Sequence, residues 1–201
     1  MMKRSAYFFV LVLFAGLFVG GFNTEVLSKV PEKDIYQPGA LEPIDSTLKV
    51  RVGDQAPDFV LPAVTGGNVA LSDYRGKKNV VLSFIPAAWT PVCSDQWPGY
   101  NIAKEFFDAN DAILLGISVD NIPTLFAWTN QMGKLWFPVL SDFYPHGGYA
   151  QKLGILRSNG VTERAIFVID KQGVIRYIDV HDINKPPRLK SIVQAMEQLG
   201  K

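Results

Sequence analysis

The chain has 201 residues, with 20 Lys and Arg against 19 Asp and Glu, and a formal net charge of +1. So balanced a charge gives no electrostatic case for nucleic-acid binding. Two histidines and one cysteine leave few ligands for zinc or copper and no partner for a disulfide within the chain. We therefore expect no metal and no other cofactor.

The N-terminus combines a positive flank with an apolar run. Lys3 and Arg4 precede apolar residues from about Ala6 to Phe22, a stretch at the lower edge of what spans a bilayer as a helix. The run has no good A-x-A-like cleavage pattern, so residues 1–22 predict an uncleaved membrane anchor, with a cleaved signal peptide and a secreted form as the alternative. In both cases the rest of the chain lies on the outer, periplasmic side of the cytoplasmic membrane.

The next segment is poor in consecutive apolar residues. Residues 23–50 carry Pro31, Pro38 and Pro43 among charged side chains, which is typical of a tether. The globular domain is predicted over residues 51–201.

The domain alternates strand-like and helix-like segments. Strands are predicted at 58–64, 79–86, 112–120 and 137–142, and helices at 100–110, 122–133 and 148–155. A hairpin over 165–180 turns at Gly173, and an amphipathic helix over 188–199 follows it. This order predicts an α/β fold with a mixed central sheet covered by helices on both faces. Sites in such folds lie where strands end and helices begin.

Cys93, the single cysteine, follows a buried strand at such a junction. A buried structural cysteine is the ordinary interpretation, because free cysteine is among the most buried residue types. Here, however, a helix start favours a thiolate, and the neighbours Thr90, Pro91, Ser94 and Asp95 are not those of a core position. An unpaired cysteine outside the cytoplasm also invites oxidation. These features together favour a reactive thiol.

The sequence around Cys93 resembles a known family. PAAWTPVC, with Pro86, Thr90 and Cys93, fits the P-x-x-x-[TS]-x-x-C motif of the peroxiredoxins, which are thiol peroxidases with a thioredoxin-like fold. GDQAPDFVLPAV, LSDYRGKKNVVLSF, SDFYPHG and ERAIFVIDKQGVIRYIDV are similar to further segments of that family, in the same order. The resemblance covers residues 51–201 and implies a thioredoxin-like fold.

The resemblance implies a role for four residues. Cys93 would be the nucleophile that attacks a peroxide and becomes a sulfenic acid. Thr90 would point its hydroxyl at the sulfur and the peroxide, with a plain helix cap as the alternative role. Pro86 would rim the pocket, or simply end the strand. Arg164 matches the arginine that approaches the thiolate.

Arg164 has two rivals for that role, Arg157 and Arg176, and it could instead form a surface ion pair with Glu163. Three other positions near Cys93 depart from the family pattern. Trp89 stands where phenylalanine is common, and Gln96 stands where a glutamate is usual. Pro98 interrupts the hydrogen bonding of the helix and predicts a kink.

The lack of a second cysteine resembles the one-cysteine mechanism. The sulfenic acid would then be reduced by an external thiol, either a small molecule or a thioredoxin-like protein. The substrates implied are hydrogen peroxide or organic hydroperoxides, and a location at the bilayer suggests lipid hydroperoxides. The family's habit suggests a homodimer.

Other functional classes have weaker support. His146 and His181 have the ordinary interpretation of structural histidines, and a serine hydrolase using Ser83 or Ser94 would need an oxyanion loop that the sequence lacks. Three tryptophans, at positions 97, 128 and 136, are expected to pack in the core or at its rim. A non-catalytic thioredoxin-like module for binding or redox sensing is the alternative function.

Overall fold

The computed structural model describes residues 30–199, so the anchor predicted over residues 1–22 lies outside them. The strands are β1 Val60–Pro62, β2 Asn68–Ala70, β3 Asn79–Phe84, β4 Ala112–Ser118, β5 Val139–Ser141, β6 Arg164–Ile169 and β7 Ile175–His181. The helices are α1 Pro91–Asn101, α2 Lys104–Ala109, α3 Ile122–Gln131, α4 Gly148–Leu153 and α5 Leu189–Glu197. No helix within residues 30–199 has the length and apolar character needed to cross a membrane.

Five strands form one mixed sheet in the order β5-β4-β3-β6-β7. β3 pairs in parallel with β4, and β4 with β5, while β6 runs antiparallel to both β3 and β7. β3 lies in the middle of the sheet, and all its residues after Asn79 are buried. A nearly continuous apolar sequence is typical of a strand that is covered on both faces. β1 and β2 form a separate small hairpin. The predicted mixed sheet is confirmed.

Helices cover both faces of this sheet. On one face α1, α2, α3 and α5 bury a core that includes Trp97, Phe107 and Trp128. On the other face α4 and the β1–β2 hairpin bury a second core, which includes Tyr149 and Leu153. Trp97 and Trp128 are fully buried, as expected, and Trp136 packs half-buried against the first core.

The helix predicted over 100–110 is wrong in its bounds. The chain instead forms α1, which begins at Pro91, and α2, which begins at Lys104. A proline at the first helical position is compatible with a helix start because its missing N–H has no partner there in any case. Ile102 lies between the two helices and is 75% exposed, so its apolar character did not mark a core position. α1 continues through Pro98.

Part of the predicted tether lies against the domain. Val30 is buried in the core on the α1 face, and the N–H of Lys49 donates to the carbonyl of Leu153 at 2.9 Å. Gly154 permits this approach, because a Cβ there would lie 2.3 Å from the carbonyl oxygen of Thr47. The contacts are mostly made by backbone groups, which explains why a segment with few apolar residues can still pack in place.

A close approach between β4 and α1 gives a stability prediction. A Cβ at Gly116 would lie 2.8 Å from the ring of buried Trp97, so Gly116→Ala should destabilise the protein by about 1–3 kcal/mol. Gly99→Ala is the control, because Gly99 lies in α1 with open space around it, and the change should stabilise by about 0.5–1 kcal/mol. Urea unfolding measures both, and equal effects would contradict the packing described.

Candidate active site

The sheet register brings the predicted site residues together. β3 ends at Phe84, which pairs with Ala165 of antiparallel β6. Arg164, the first residue of β6, therefore lies beside the carboxyl end of β3. Cys93 is the third residue of α1, so it lies in the first turn of the helix that follows β3. Arg164 and Cys93, 71 positions apart in the sequence, therefore meet at the junction between β3 and α1.

Arg164 contacts the cysteine sulfur directly. Its Nη2 lies 3.4 Å from Cys93 Sγ, while Nε and Nη2 both donate to the carbonyl of Ile183, at 3.1 and 3.0 Å. Cys93 is fully buried and Arg164 is 2% exposed, so little water separates the charge from the sulfur. A guanidinium at this distance in a buried site can stabilise negative charge that develops on the sulfur during a reaction.

The two rival arginines are engaged elsewhere. Arg157 pairs with buried Glu163 at 2.6 Å, and Arg176 pairs with Asp170 at 2.6 Å. The surface ion pair considered between Arg164 and Glu163 is wrong, because both side chains are buried and the carboxylate of Glu163 faces Arg157. Arg164 is the arginine of the three that contacts Cys93.

Gln96 is the third partner of Arg164. Its Oε1 accepts from Arg164 Nη1, and its Nε2 donates to Ser83 Oγ at 3.1 Å. The amide is neutral, so it orients the guanidinium without cancelling its charge. Tyr100 is buried near this network: burial raises the pKa of Tyr100, and its interaction with Gln96 only partly opposes that rise. The phenol is therefore uncharged at neutral pH.

Thr90 and Pro86 belong to the loop between β3 and α1, residues 85–90, which we call the cysteine loop, and both line a cavity there. The hydroxyl of Thr90 donates to the carbonyl of Ala87 at 2.9 Å, and its side chain makes no hydrogen bond that caps α1. With its proton engaged, the hydroxyl oxygen retains lone pairs that can accept a hydrogen bond. Pro86 follows the end of β3 by two residues and is buried.

Two contacts that the sequence did not reveal fix the loop between β3 and α1. Asp120 Oδ2 accepts from the N–H of Ala88 at 2.8 Å, and the carbonyl of Trp89 accepts from the N–H of Tyr36 at 2.7 Å. Trp89 has a φ of 60°, in the left-handed region that a bulky side chain seldom adopts. The loop is therefore held in a strained conformation by groups from two distant segments. An acidic residue just after β4 was the one sequence signal for Asp120.

A cavity of about 510 Å³ opens at this loop. Its lining includes Pro86, Thr90 and Arg164, and its remaining walls are largely apolar. Cys93 does not reach the cavity surface itself, and its sulfur meets the cavity through Arg164. A charged donor and a hydroxyl thus face an otherwise apolar space, an arrangement that suits a small polar group attached to a less polar body.

The serine and histidine candidates do not form a hydrolytic site. Ser94 Oγ accepts from the indole N–H of Trp128 at 3.2 Å. Ser83 Oγ accepts from the Gln96 amide and from the indole N–H of Trp97. His146 bonds the carbonyl of Gly160, and His181 lies 3.3 Å from Asp179. Among residues 30–199 no cluster of His, Cys, Asp and Glu has the arrangement of a metal site.

Comparison with known proteins identifies relatives over most of the domain. Residues 52–178 match the AhpC/TSA family. Alkyl hydroperoxide reductase E of Mycobacterium tuberculosis is 39% identical over 132 residues, which are 65% of this chain and 86% of that protein. Peroxiredoxin-2 of Mus musculus is 37% identical over 143 residues, which are 66% of this chain and 71% of that protein.

Solved structures have the same architecture. The reduced 2-Cys peroxiredoxin of Plasmodium vivax superposes with a TM-score of 0.70 at 28% identity, covering 74% of this chain and 81% of that one. AhpC of Mycobacterium tuberculosis superposes equally well, at 0.70, with 23% identity over 76% of this chain and 94% of that one, and shows the fold alone. The fold class predicted from sequence, a thioredoxin-like α/β fold, is confirmed.

The neutral partner of Arg164 gives a testable consequence. Gln96→Glu would place a carboxylate on the guanidinium and disfavour a second negative charge on Cys93. We expect iodoacetamide to alkylate Cys93 of this variant about threefold to tenfold more slowly at pH 7 than the wild type. Gln96→Met is the control for loss of the hydrogen bond without added charge, and it should slow alkylation less than the glutamate does. A glutamate variant as reactive as the wild type would contradict the electrostatic role of this amide.

Proposed function

Because the chain belongs to the AhpC/TSA family of peroxiredoxins and is thus a thiol-dependent peroxidase, we propose that Cys93 is its peroxide-reducing nucleophile and Arg164 the cation that activates it. The observation that carries the proposal is the contact between Arg164 Nη2 and Cys93 Sγ, inside a buried site. The alternative of a non-catalytic binding or sensing module finds no support among the relatives, whose names are those of peroxidases.

The proposed oxidative step is a nucleophilic displacement at oxygen. The Cys93 thiolate attacks the terminal oxygen of the hydroperoxide, an S–O bond forms and the O–O bond breaks. The sulfur loses two electrons and becomes a sulfenic acid, while the leaving oxygen takes up a proton and departs as water or an alcohol. Arg164 stabilises the charge on the sulfur before attack and on the oxygens during it. Thr90 accepts a hydrogen bond from the peroxide, and Pro86 limits the access of water.

The reductive step needs a thiol from outside the chain. The sequence contains one cysteine, so the sulfenic acid has no second cysteine in the same chain with which to form a disulfide. An external thiol attacks the sulfenic sulfur and releases water, and a second thiol then reduces the mixed disulfide and regenerates Cys93. The reductant is a small thiol or a thioredoxin-like protein.

We also propose that residues 1–22 hold the enzyme at the cytoplasmic membrane with its domain on the outer side, on the strength of the Lys3–Arg4 flank and the apolar run that follows it. That location would bring lipid hydroperoxides within reach. A homodimer is the assembly that we expect.

Rapid mixing of the reduced full-length chain with hydrogen peroxide tests the proposed chemistry. A probe selective for sulfenic acids should label the wild type once per chain, at Cys93. It should not label Cys93→Ser. Arg164→Gln should oxidise about 10²- to 10³-fold more slowly, because the cation that stabilises the thiolate and the transition state is removed. Arg176→Gln is the matched control, since that half-exposed arginine pairs with Asp170 away from the sulfur, and its rate should be unchanged.

Two results would contradict the proposal. One is a wild-type rate no greater than that of a free thiol. The other is an equal loss of rate in the Arg164 and Arg176 variants, which would show that the loss comes from the overall charge rather than from contact with the sulfur.

A further inference from the structure

A segment that precedes the family-matched residues 52–178 forms one wall of the active-site cavity. We call residues 36–45 the strap. At its start, the N–H of Tyr36 donates to the carbonyl of Trp89 in the cysteine loop. In its middle, Leu41 and Asn184 exchange two hydrogen bonds, from the Leu41 N–H to Oδ1 at 3.0 Å and from Nδ2 to the Leu41 carbonyl at 2.8 Å.

The far end of the strap is held by a buried ion pair. Glu163 Oε1 accepts from the N–H of Asp45 at 2.7 Å, and Arg157 Nη2 donates to the carbonyl of Glu42 at 2.7 Å. The Asp45 carboxylate in turn accepts from both the N–H and the hydroxyl of Ser158. Buried charged groups are costly unless they are hydrogen-bonded. Displacing the strap would remove hydrogen bonds from the buried Arg157–Glu163 pair.

The strap is also fixed relative to the reacting groups. Arg164 donates two hydrogen bonds to the carbonyl of Ile183, and the next residue, Asn184, holds Leu41. Two consecutive residues therefore connect the catalytic cation to the strap. Leu41 is half-buried beside the cavity, whereas Ile44, on the same strap, does not line it and is 48% exposed.

The space between the strap and the cysteine loop is far larger than hydrogen peroxide needs. A water molecule occupies about 30 Å³ in the liquid, and the cavity measures about 510 Å³. The strap contributes Tyr36, Gln37, Pro38, Gly39 and Leu41 to its lining. The rest of the lining includes the apolar residues Ala87, Ala88, Pro91, Val92, Val161 and Ile183, and the polar residues Asn159 and Asn184. The lining as a whole is mainly apolar, and among residues 30–199 its one charged group is the guanidinium of Arg164.

We infer that the strap determines peroxide specificity: Leu41 packs against the organic body of a hydroperoxide whose peroxide group faces Arg164 and Cys93. The inference rests on the proposed function, because the same sulfur attacks the substrate. Apolar contact with Leu41 favours organic hydroperoxides, while hydrogen peroxide has no organic body with which to make that contact. The preference is thus set by a segment outside the family's matched region.

Second-order rate constants for oxidation of the full-length chain by hydrogen peroxide and by cumene hydroperoxide test this role. Leu41→Ala should lower the cumene hydroperoxide constant about fivefold and leave that for hydrogen peroxide within about twofold. Leu41→Trp should fill the cavity and slow cumene hydroperoxide by about tenfold or more, again sparing hydrogen peroxide. Ile44→Ala removes a branched aliphatic side chain from the same strap, away from the cavity, and should change neither constant.

The outcomes separate the strap's role from the proposed function. A fast wild-type enzyme whose ratio of the two constants is unchanged in both Leu41 variants would overturn the strap's role alone. The same holds if Ile44→Ala shifts the ratio as much as Leu41→Ala does. A wild-type chain that reacts with both peroxides no faster than a free thiol would overturn the proposed function, and the strap's role with it.

Discussion

The buried guanidinium of Arg164 is the interaction on which the rest of the site depends. A charge taken out of water is costly unless its donors are satisfied, and here the carbonyl of Ile183, the amide of Gln96 and the sulfur of Cys93 receive them. The oxygens in this set are neutral. The sulfur is therefore the one partner in the set that can gain a negative charge, and burial strengthens the attraction.

The fold supplies this arrangement through its topology. Cys93 lies at the start of α1, the helix that follows β3. Arg164 begins β6, which runs antiparallel to β3, so it lies at the same end of the sheet. Neither residue could reach the other in a sheet of one strand direction only. The mixed sheet of the peroxiredoxins is thus what joins a helix-positioned thiol to a strand-positioned cation, and the chain's own strap then encloses the space in front of them.

Local patterns in the sequence predicted much of this and missed what depends on distant contacts. Continuous apolar runs marked β3 and β4, and the motif around Cys93 together with Arg164 marked residues that the structure brings together. A helix start near Cys93 was expected, but the extent of α1 was missed because PVCSDQWPGY has no apolar helical period. The packing of residues 30–50 and the hydrogen bond from the Ala88 N–H to the Asp120 carboxylate were missed because bonds made by backbone groups leave no periodic signal. Resemblance, likewise, could not show that the Thr90 hydroxyl bonds Ala87.

The most direct test of the account is competition for hydrogen peroxide between the full-length, reduced wild-type chain and a heme peroxidase of known rate. The account predicts that Cys93, held against Arg164, outcompetes free cysteine at the same pH by on the order of a thousandfold. A rate constant equal to that of free cysteine would contradict it, because the contact between guanidinium and sulfur would then stabilise the fold without activating the thiol.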